Sequence, residues 1–148
     1  MRVADIMERD VVTLDMAEHL DVAEDIMRLG RIRHLPVVAG SHVVGVLSQR
    51  DLFRAATSSL LDLRHRGQHE WLASLRACDV MATDVVTIGP RASVRDAVEL
   101  MLRRRVGCLP VVDGSRLVGL VSETECLRFL DRLLAVTETR AELPQLAE

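Results

Sequence analysis

The sequence predicts a mixed α/β fold, of the α+β type, made of two βαββα repeats packed about an approximate two-fold axis. When the chain is slid along itself, residues 3–56 fall on residues 77–130 without a gap, and LPVV recurs at Leu35 and Leu109. Each stretch also alternates short apolar runs with helical periodicity. One such unit cannot cover both faces of its own sheet, so we expect the two copies to cover each other.

The elements follow in the same order in both repeats. The runs VVTL and VVTI, which begin at Val11 and Val85, are predicted to be short strands because β-branched residues favour strands. A helix is expected next, from Val22 in the first repeat and after an N-capping Ser93 in the second. Two apolar runs around a Gly-Ser turn then predict a β-hairpin, and helical periodicity resumes after it.

Two stretches lie outside the repeats. We predict a first repeat at 1–56, a helical connector at 57–76 that is broken near Gly67, a second repeat at 77–130, and a C-terminal helix and tail at 131–148. The connector is polar with spaced leucines. The tail loses its helical pattern after about two or three turns, so its last residues are expected to fray.

The composition of the chain argues against several classes of function. The 148 residues are 49% hydrophobic, so the chain can bury a core without a metal or a disulfide. A net charge of −3 and an aromatic content of 2% argue against nucleic acid as a partner. No run of about 18 apolar residues is present to cross a membrane, and the first residues do not resemble a signal peptide. We therefore expect a cytoplasmic protein that binds neither nucleic acid nor membrane.

Few residues suggest catalysis or metal binding. Cys78, Cys108 and Cys126 form no CxxC pair, so we interpret them as reduced packing residues. His65 and His69 have the spacing of a metal-binding helix, but Gly67 lies between them and no third ligand is evident, so no metal site is predicted. Hydrolase, P-loop and dinucleotide-binding motifs are absent. The sequence therefore predicts neither an enzyme nor an obligatory cofactor.

One motif runs through both repeats and resembles that of a known family. In the first copy it comprises Asp5-Ile6-Met7, Val11-Val12-Thr13, Ala23, Met27, Leu35-Pro36-Val37-Val38, Gly45 and Ser48 to Asp51, and the second copy repeats it up to Glu125. The motif resembles the CBS domain, named for cystathionine β-synthase, and the tandem pair resembles a Bateman module. The resemblance implies a regulatory fold that binds AMP, ADP, ATP, S-adenosylmethionine or NAD in clefts between the repeats. It also implies a homodimer and an unidentified protein partner.

The same resemblance suggests which residues hold an adenosyl ligand. Asp51, in the first turn of a predicted helix, is expected to accept hydrogen bonds from the ribose hydroxyls. Cationic residues beside it suit phosphate, and adenine needs only apolar side chains, which the other repeat would supply. The first cleft is thus predicted to comprise Arg33, His34, Ser48, Arg50, Asp51, Val85, Val86 and Thr87.

The second cleft is predicted to be weaker or empty. It would comprise Val11, Val12, Thr13, Cys108, Ser122 and Glu125, and Gly107, Cys108 and Thr124 stand where the first copy has Arg33, His34 and Arg50. One alternative is a ligand-independent homodimeric scaffold with vestigial clefts. Another is a redox sensor at Cys108, which would need a depressed thiol pKa.

Overall fold

The computed structural model describes residues 1–58 and 67–141. In the first part of the chain the elements are α1 (Val3–Ile6), β1 (Leu14–Asp15), α2 (Leu20–Gly30), β2 (His34–Ala39), β3 (His42–Ser48) and α3 (Gln49–Ser58). From residue 67 onward the elements are α4 (Gln68–Ala73), α5 (Ala77–Val80), α6 (Val94–Arg104), β4 (Cys108–Asp113), β5 (Arg116–Ser122) and α7 (Glu123–Ala141). The predicted α/β fold with two repeats is confirmed.

The predicted hairpins are present in both repeats. β2 pairs antiparallel with β3 and β4 with β5, and each pair has a bulge at the same position, after Val37 and after Val111. The turns place Gly40 at φ 64° and Gly114 at φ 63°. Glycine fits these turns because other residues adopt positive φ only at a cost.

The predicted first strands, VVTL and VVTI, are wrong in position. β1 contains only Leu14 and Asp15, which pair in parallel with β2. In the second repeat the strand is reduced to one bridge, from Ile88 to Val111. Leu14 and Ile88 are buried, whereas Val12 is 47% exposed. The β-branched runs are extended, but only the residue that enters the core acquires a partner strand.

The predicted start of α6 agrees with the structure, whereas that of α2 does not. Ser93 caps α6 as expected, because its Oγ accepts the N–H of Asp96 at 3.0 Å. α2 begins at Leu20, two residues before the predicted start, without a side-chain cap. Both helices end in a left-handed residue, Arg31 after α2 and Arg105 after α6.

The hydrophobic cores do not follow the sequence boundaries of the repeats. α1 belongs to the core of the second repeat, where Val3 and Met7 are buried with Ala97 and Leu109. The opening segment of the second repeat belongs to the first core, which contains Ala77 together with Leu72 of α4. The opening segments are therefore exchanged between repeats, and this symmetric exchange is what joins them.

The connector helix α4 is joined to α3 by a hydrogen bond. It begins after Gly67, in agreement with the predicted break, and Trp71 donates its Nε1–H to the carbonyl oxygen of Ala55 at 2.7 Å. The rest of the predicted connector, with His65, and the tail from residue 142 lie outside the described residues. Among the helices of residues 1–58 and 67–141, none combines the length and apolar character that a membrane span requires.

Candidate functional site

An open cavity of about 1240 Å³ lies between α3 of the first repeat and α6 and α7 of the second. It brings together most of the residues predicted for the first cleft, namely Arg33, His34, Ser48, Arg50, Asp51, Val85 and Val86. Thr87 is exposed and does not line the cavity, because the chain turns inward at the next residue, Ile88. We call this space the Asp51 cleft.

Asp51 is held by the residue that begins its helix. The Oγ of Ser48 accepts the N–H of Asp51 at 3.1 Å, and Asp51 Oδ2 accepts both the N–H and the hydroxyl of Ser48, each at 2.8 Å. These bonds cap α3 and fix the carboxylate. Oδ1 has no hydrogen-bond partner in the described part of the chain. The carboxylate is therefore oriented by one oxygen and open to a ligand through the other.

His34 lies at the contact between the repeats. A Cβ on Gly107 would come within 3.1 Å of the imidazole Cε1 and Nε2 and 3.7 Å of the Glu123 carboxyl carbon. The missing side chain of Gly107 thus leaves the space that the imidazole needs. Burial lowers the pKa of His34, and the charge of Arg33 lowers it too, whereas Glu123 and Asp51 oppose the shift. The imidazole is therefore neutral at neutral pH.

Two arginines in the cleft were missed by sequence reasoning. Arg54 and Arg105 line the cavity beside Arg33 and Arg50. Arg54 recurs as Arg128 in the second copy, so the repeat itself carried a signal for it. Arg105 recurs too, as Arg31, but Arg31 does not line this cleft, so the repeat alone could not place Arg105 here.

The apolar lining of the cleft comes mostly from the second repeat. Besides the two predicted valines it includes Ala82, Val98, Met101, Leu102 and Val106. An aromatic ring can bury its faces against such side chains without a charged partner. The cleft thus combines a fixed carboxylate, several guanidinium groups and an apolar surface.

Three residues predicted for the second cleft lie together, because Cys108 pairs with Ser122 between β4 and β5 and Ser122 donates its N–H to Glu125. Cys108 also lines the Asp51 cleft, because β2 and β4 both begin at that cavity, while Val11, Val12, Thr13, Ser122 and Glu125 do not line it. Burial, followed by the charges of Glu123 and Glu125, raises the pKa of Cys108 to about 12. Cys108 thus lies beside Ser122, with which it was grouped, and also at the Asp51 cleft, which the sequence did not predict. The second cleft as a weaker ligand site stays a prediction.

Glu125 repeats the geometry of Asp51 with one difference. Its Oε2 accepts the N–H of Ser122 at 2.8 Å and also the Ser122 hydroxyl. The extra methylene lets Oε1 reach Arg128 at 3.5 Å, whereas Arg54, at the matching position of the first copy, faces the Asp51 cleft. Glu125 thus has both oxygens occupied, and Asp51 has one.

A second cavity of about 990 Å³ lies between α2 and α3, and Met27, Leu52 and Phe53 line it. It contains none of Ser48, Arg50 and Asp51. Within the two described ranges, no group of three or more histidine, cysteine or acidic side chains is arranged to hold a metal ion. The Asp51 cleft is thus the candidate site that the chemistry favours.

Comparison with known proteins places the chain in a family. The family model of the CBS domain matches residues 3–58 and again residues 77–132. A CBS domain-containing protein of Dictyostelium discoideum is 31% identical over 134 residues, which are 89% of this chain and 92% of that protein. An inosine-5'-monophosphate dehydrogenase of Korarchaeum cryptofilum is 33% identical over 115 residues, or 77% of this chain, but the chain spans only 21% of that enzyme.

Solved structures show the same fold. A protein assigned to acetoin utilization (AcuB) from Vibrio cholerae superposes with a TM-score of 0.78 at 32% identity, covering 94% of this chain and 96% of that one. The CBS domain pair of protein MJ0100, solved with 5'-methylthioadenosine and S-adenosyl-L-methionine, gives a TM-score of 0.76 at 22% identity, with coverages of 89% and 97%. CBSX2, solved with AMP, gives 0.73 at 22% identity, with the same coverages. The duplicated family match and these structures establish that the chain belongs to the CBS domain family, as a tandem pair of CBS domains.

Proposed function

We propose that the chain is a non-catalytic regulatory module that binds an adenine nucleotide or a related adenosyl compound in the Asp51 cleft. The candidates are AMP, ADP, ATP, S-adenosylmethionine and NAD. The observation that carries the proposal is the Asp51 carboxylate, which lines the cavity and which Ser48 orients through Oδ2, while Oδ1 has no hydrogen-bond partner among the described residues. Two ribose hydroxyls are suitable donors to such an acceptor.

The remaining parts of the ligand have matching surfaces. Adenine would lie against Val85, Val86 and the other apolar side chains of the second repeat, and the phosphates would lie near Arg33, His34 and Arg50. The adenosyl ligands bound to the CBS pair of MJ0100 and to CBSX2 support this assignment. Because both repeats contribute, ligand binding would favour one relative pose of the repeats and so alter a partner's activity.

The test is thermal unfolding of ligand-free protein with each candidate ligand and with GTP as a control. At about one hundred times its dissociation constant, a ligand adds about 2.7 kcal/mol, which raises the midpoint by several degrees. We expect this shift with adenine compounds and not with GTP. It should disappear in Asp51→Asn, which keeps the size of the side chain but removes its charge.

Glu125→Gln is the matched control, since Glu125 occupies the corresponding position with both oxygens engaged. This variant should retain the ligand-induced shift. Equal loss in the two variants would contradict the assignment of the site to the Asp51 cleft. No shift with any ligand in the unmodified protein would reject nucleotide sensing.

A homodimeric scaffold is the second candidate, and exposed apolar side chains favour it. Phe53 on α3 is 70% exposed and Leu127, its counterpart on α7, is 64% exposed, while Leu29 and Leu102 near the ends of α2 and α6 are more exposed still. Side chains of this kind are buried when helices of two copies pack together. A stable dimer combined with no ligand response would favour the scaffold, whereas a dimer that responds to ligand fits the regulatory module.

A further inference from the structure

The Asp51 cleft contains more positive charge than one phosphate group needs. Arg33, Arg50 and Arg54 come from the first repeat, and Arg105 comes from the second. None of these four guanidinium groups forms an ion pair within residues 1–58 and 67–141. Four arginines that line one cavity, without an acidic partner in the described part of the chain, indicate an anionic ligand with several negative charges.

The three acidic residues that line the cleft form no ion pairs with these arginines. Asp51 is held by Ser48, and Asp84 pairs at 3.1 Å with Arg104, which does not line the cavity. Glu123, the third, lies beside Gly107 and His34, which is where the repeats touch. No carboxylate thus pairs with the four arginines.

Arg105 differs from the other three because it approaches from the opposite repeat. It is the left-handed residue that ends α6, with φ 53°, and two of the next residues, Val106 and Gly107, also line the cavity. A ligand that contacts Arg105 and the arginines of the first repeat spans the boundary between the repeats. A single phosphate extends less far from the ribose than a chain of two or three phosphates does.

We propose that the Asp51 cleft selects adenosine polyphosphates, and that Arg105 sets this specificity by binding the distal phosphates, an inference that rests on the proposed nucleotide site. AMP should bind more weakly because it leaves Arg105 without a partner. S-adenosylmethionine should bind more weakly still, since its sulfonium is a cation. A ligand held by guanidiniums of both repeats favours the pose in which the two repeats lie closest. The number of phosphates on the ligand would therefore determine which pose is favoured.

The experiment is isothermal titration calorimetry of the full chain with AMP, ADP, ATP, S-adenosylmethionine and inorganic tripolyphosphate. ADP and ATP should bind about tenfold or more tightly than AMP, because one charge-assisted hydrogen bond contributes at least that factor. Arg105→Gln should remove this advantage, weakening ADP and ATP binding much more than AMP binding. Arg31→Gln is the matched control, since Arg31 ends α2 in the same left-handed conformation but lines only the cavity between α2 and α3.

The outcomes separate this inference from the proposed function. Equal affinities for AMP, ADP and ATP, all lost in Asp51→Asn, would overturn the polyphosphate inference and leave the nucleotide site standing. Equal losses in Arg105→Gln and Arg31→Gln would also overturn it. Tripolyphosphate binding that depends on Arg105, with no binding of any adenosyl compound, would keep the phosphate site and reject adenosine. Binding of none of the five would reject both.

Discussion

Glu8 and Leu120 donate their backbone N–H groups to each other's carbonyl oxygens, both at 2.9 Å. Val46 and Ala82 form the equivalent pair at 3.0 Å. Each pair joins the opening segment of one repeat to the last strand of the other. The exchange of segments described above is therefore fixed by backbone hydrogen bonds as well as by the burial of side chains.

Gly119, next to Leu120, permits this close approach, so Gly119→Ala should destabilise the fold. A Cβ there would lie 3.0 Å from the carbonyl oxygen of Glu8 and would collide with Met7. We expect the free energy of unfolding to fall by about 1–3 kcal/mol, as for other overpacked sites, when measured by urea denaturation.

Gly45→Ala should have a similar effect, because a Cβ there would lie 3.0 Å from the carbonyl oxygen of Ala82. Gly89→Ala is the control, since a Cβ at Gly89 meets no atom within 4 Å. If all three substitutions changed stability equally, close packing between the repeats would not be the reason for glycine at these positions.

The pKa of His34 predicts how stability depends on pH. Its folded-state pKa is below the ordinary value of about 6.5, chiefly because the imidazole is buried. As pH falls below about 6.5, the unfolded chain takes up a proton that the folded chain resists, so stability decreases. His34→Gln should remove this part of the decrease.

Urea denaturation between about pH 5 and pH 8 measures the effect, with His42→Gln as a control on an exposed histidine. NMR titration of the His34 ring gives the pKa directly. A pKa above 6.5 in the ligand-free protein would mean that Glu123 and Asp51 outweigh burial, and stability would then increase as pH falls.

The buried thiol of Cys108 should be unreactive at neutral pH. Its pKa of about 12 leaves almost no thiolate, and burial also blocks a reagent. In the folded protein we expect iodoacetamide to modify Cys78 and the half-buried Cys126 before Cys108, as followed by mass spectrometry. All three should react alike after unfolding in urea. Rapid and selective modification of Cys108 would revive the redox-sensor hypothesis.

The exposed apolar side chains on α3 and α7 predict a dimer, which charged substitutions at these positions should dissociate. Phe53→Asp and Leu127→Asp should each shift the protein toward monomer in sedimentation analysis, because a carboxylate is poorly tolerated in a helix interface. Val12→Asp is the control, since Val12 is exposed on the segment before β1, away from these helices. A monomeric unmodified protein, or dissociation by all three variants, would contradict a dimer through α3 and α7.

Local signals made much of the fold predictable. The hairpins could be predicted because turn glycines and β-branched runs act over a few residues, and α6 because Ser93 begins it. The exchange of opening segments could not, since no local pattern shows which of the two cores receives Val3 or Ala77. For the same reason the VVTL run indicated extended chain but not the residue that pairs.

The candidate site was predictable where its residues are contiguous. Ser48 and Asp51 lie within one turn of the same helix, so their geometry follows from the sequence of that turn. Cys108 and Arg105 depend on how the second repeat lies against the first, which no local pattern reports. Whether these residues bind a nucleotide stays a prediction.

Trp71 gives the protein an intrinsic optical reporter. It is the only tryptophan, and the chain has no tyrosine, so the intrinsic fluorescence of the protein comes almost entirely from this one side chain. Its indole N–H is bonded to Ala55, one turn along the helix whose first turn contains Asp51. A small tilt of that helix alters the polarity around the indole. Occupancy of the cleft should therefore be readable as a change in fluorescence of the unlabelled protein, in real time.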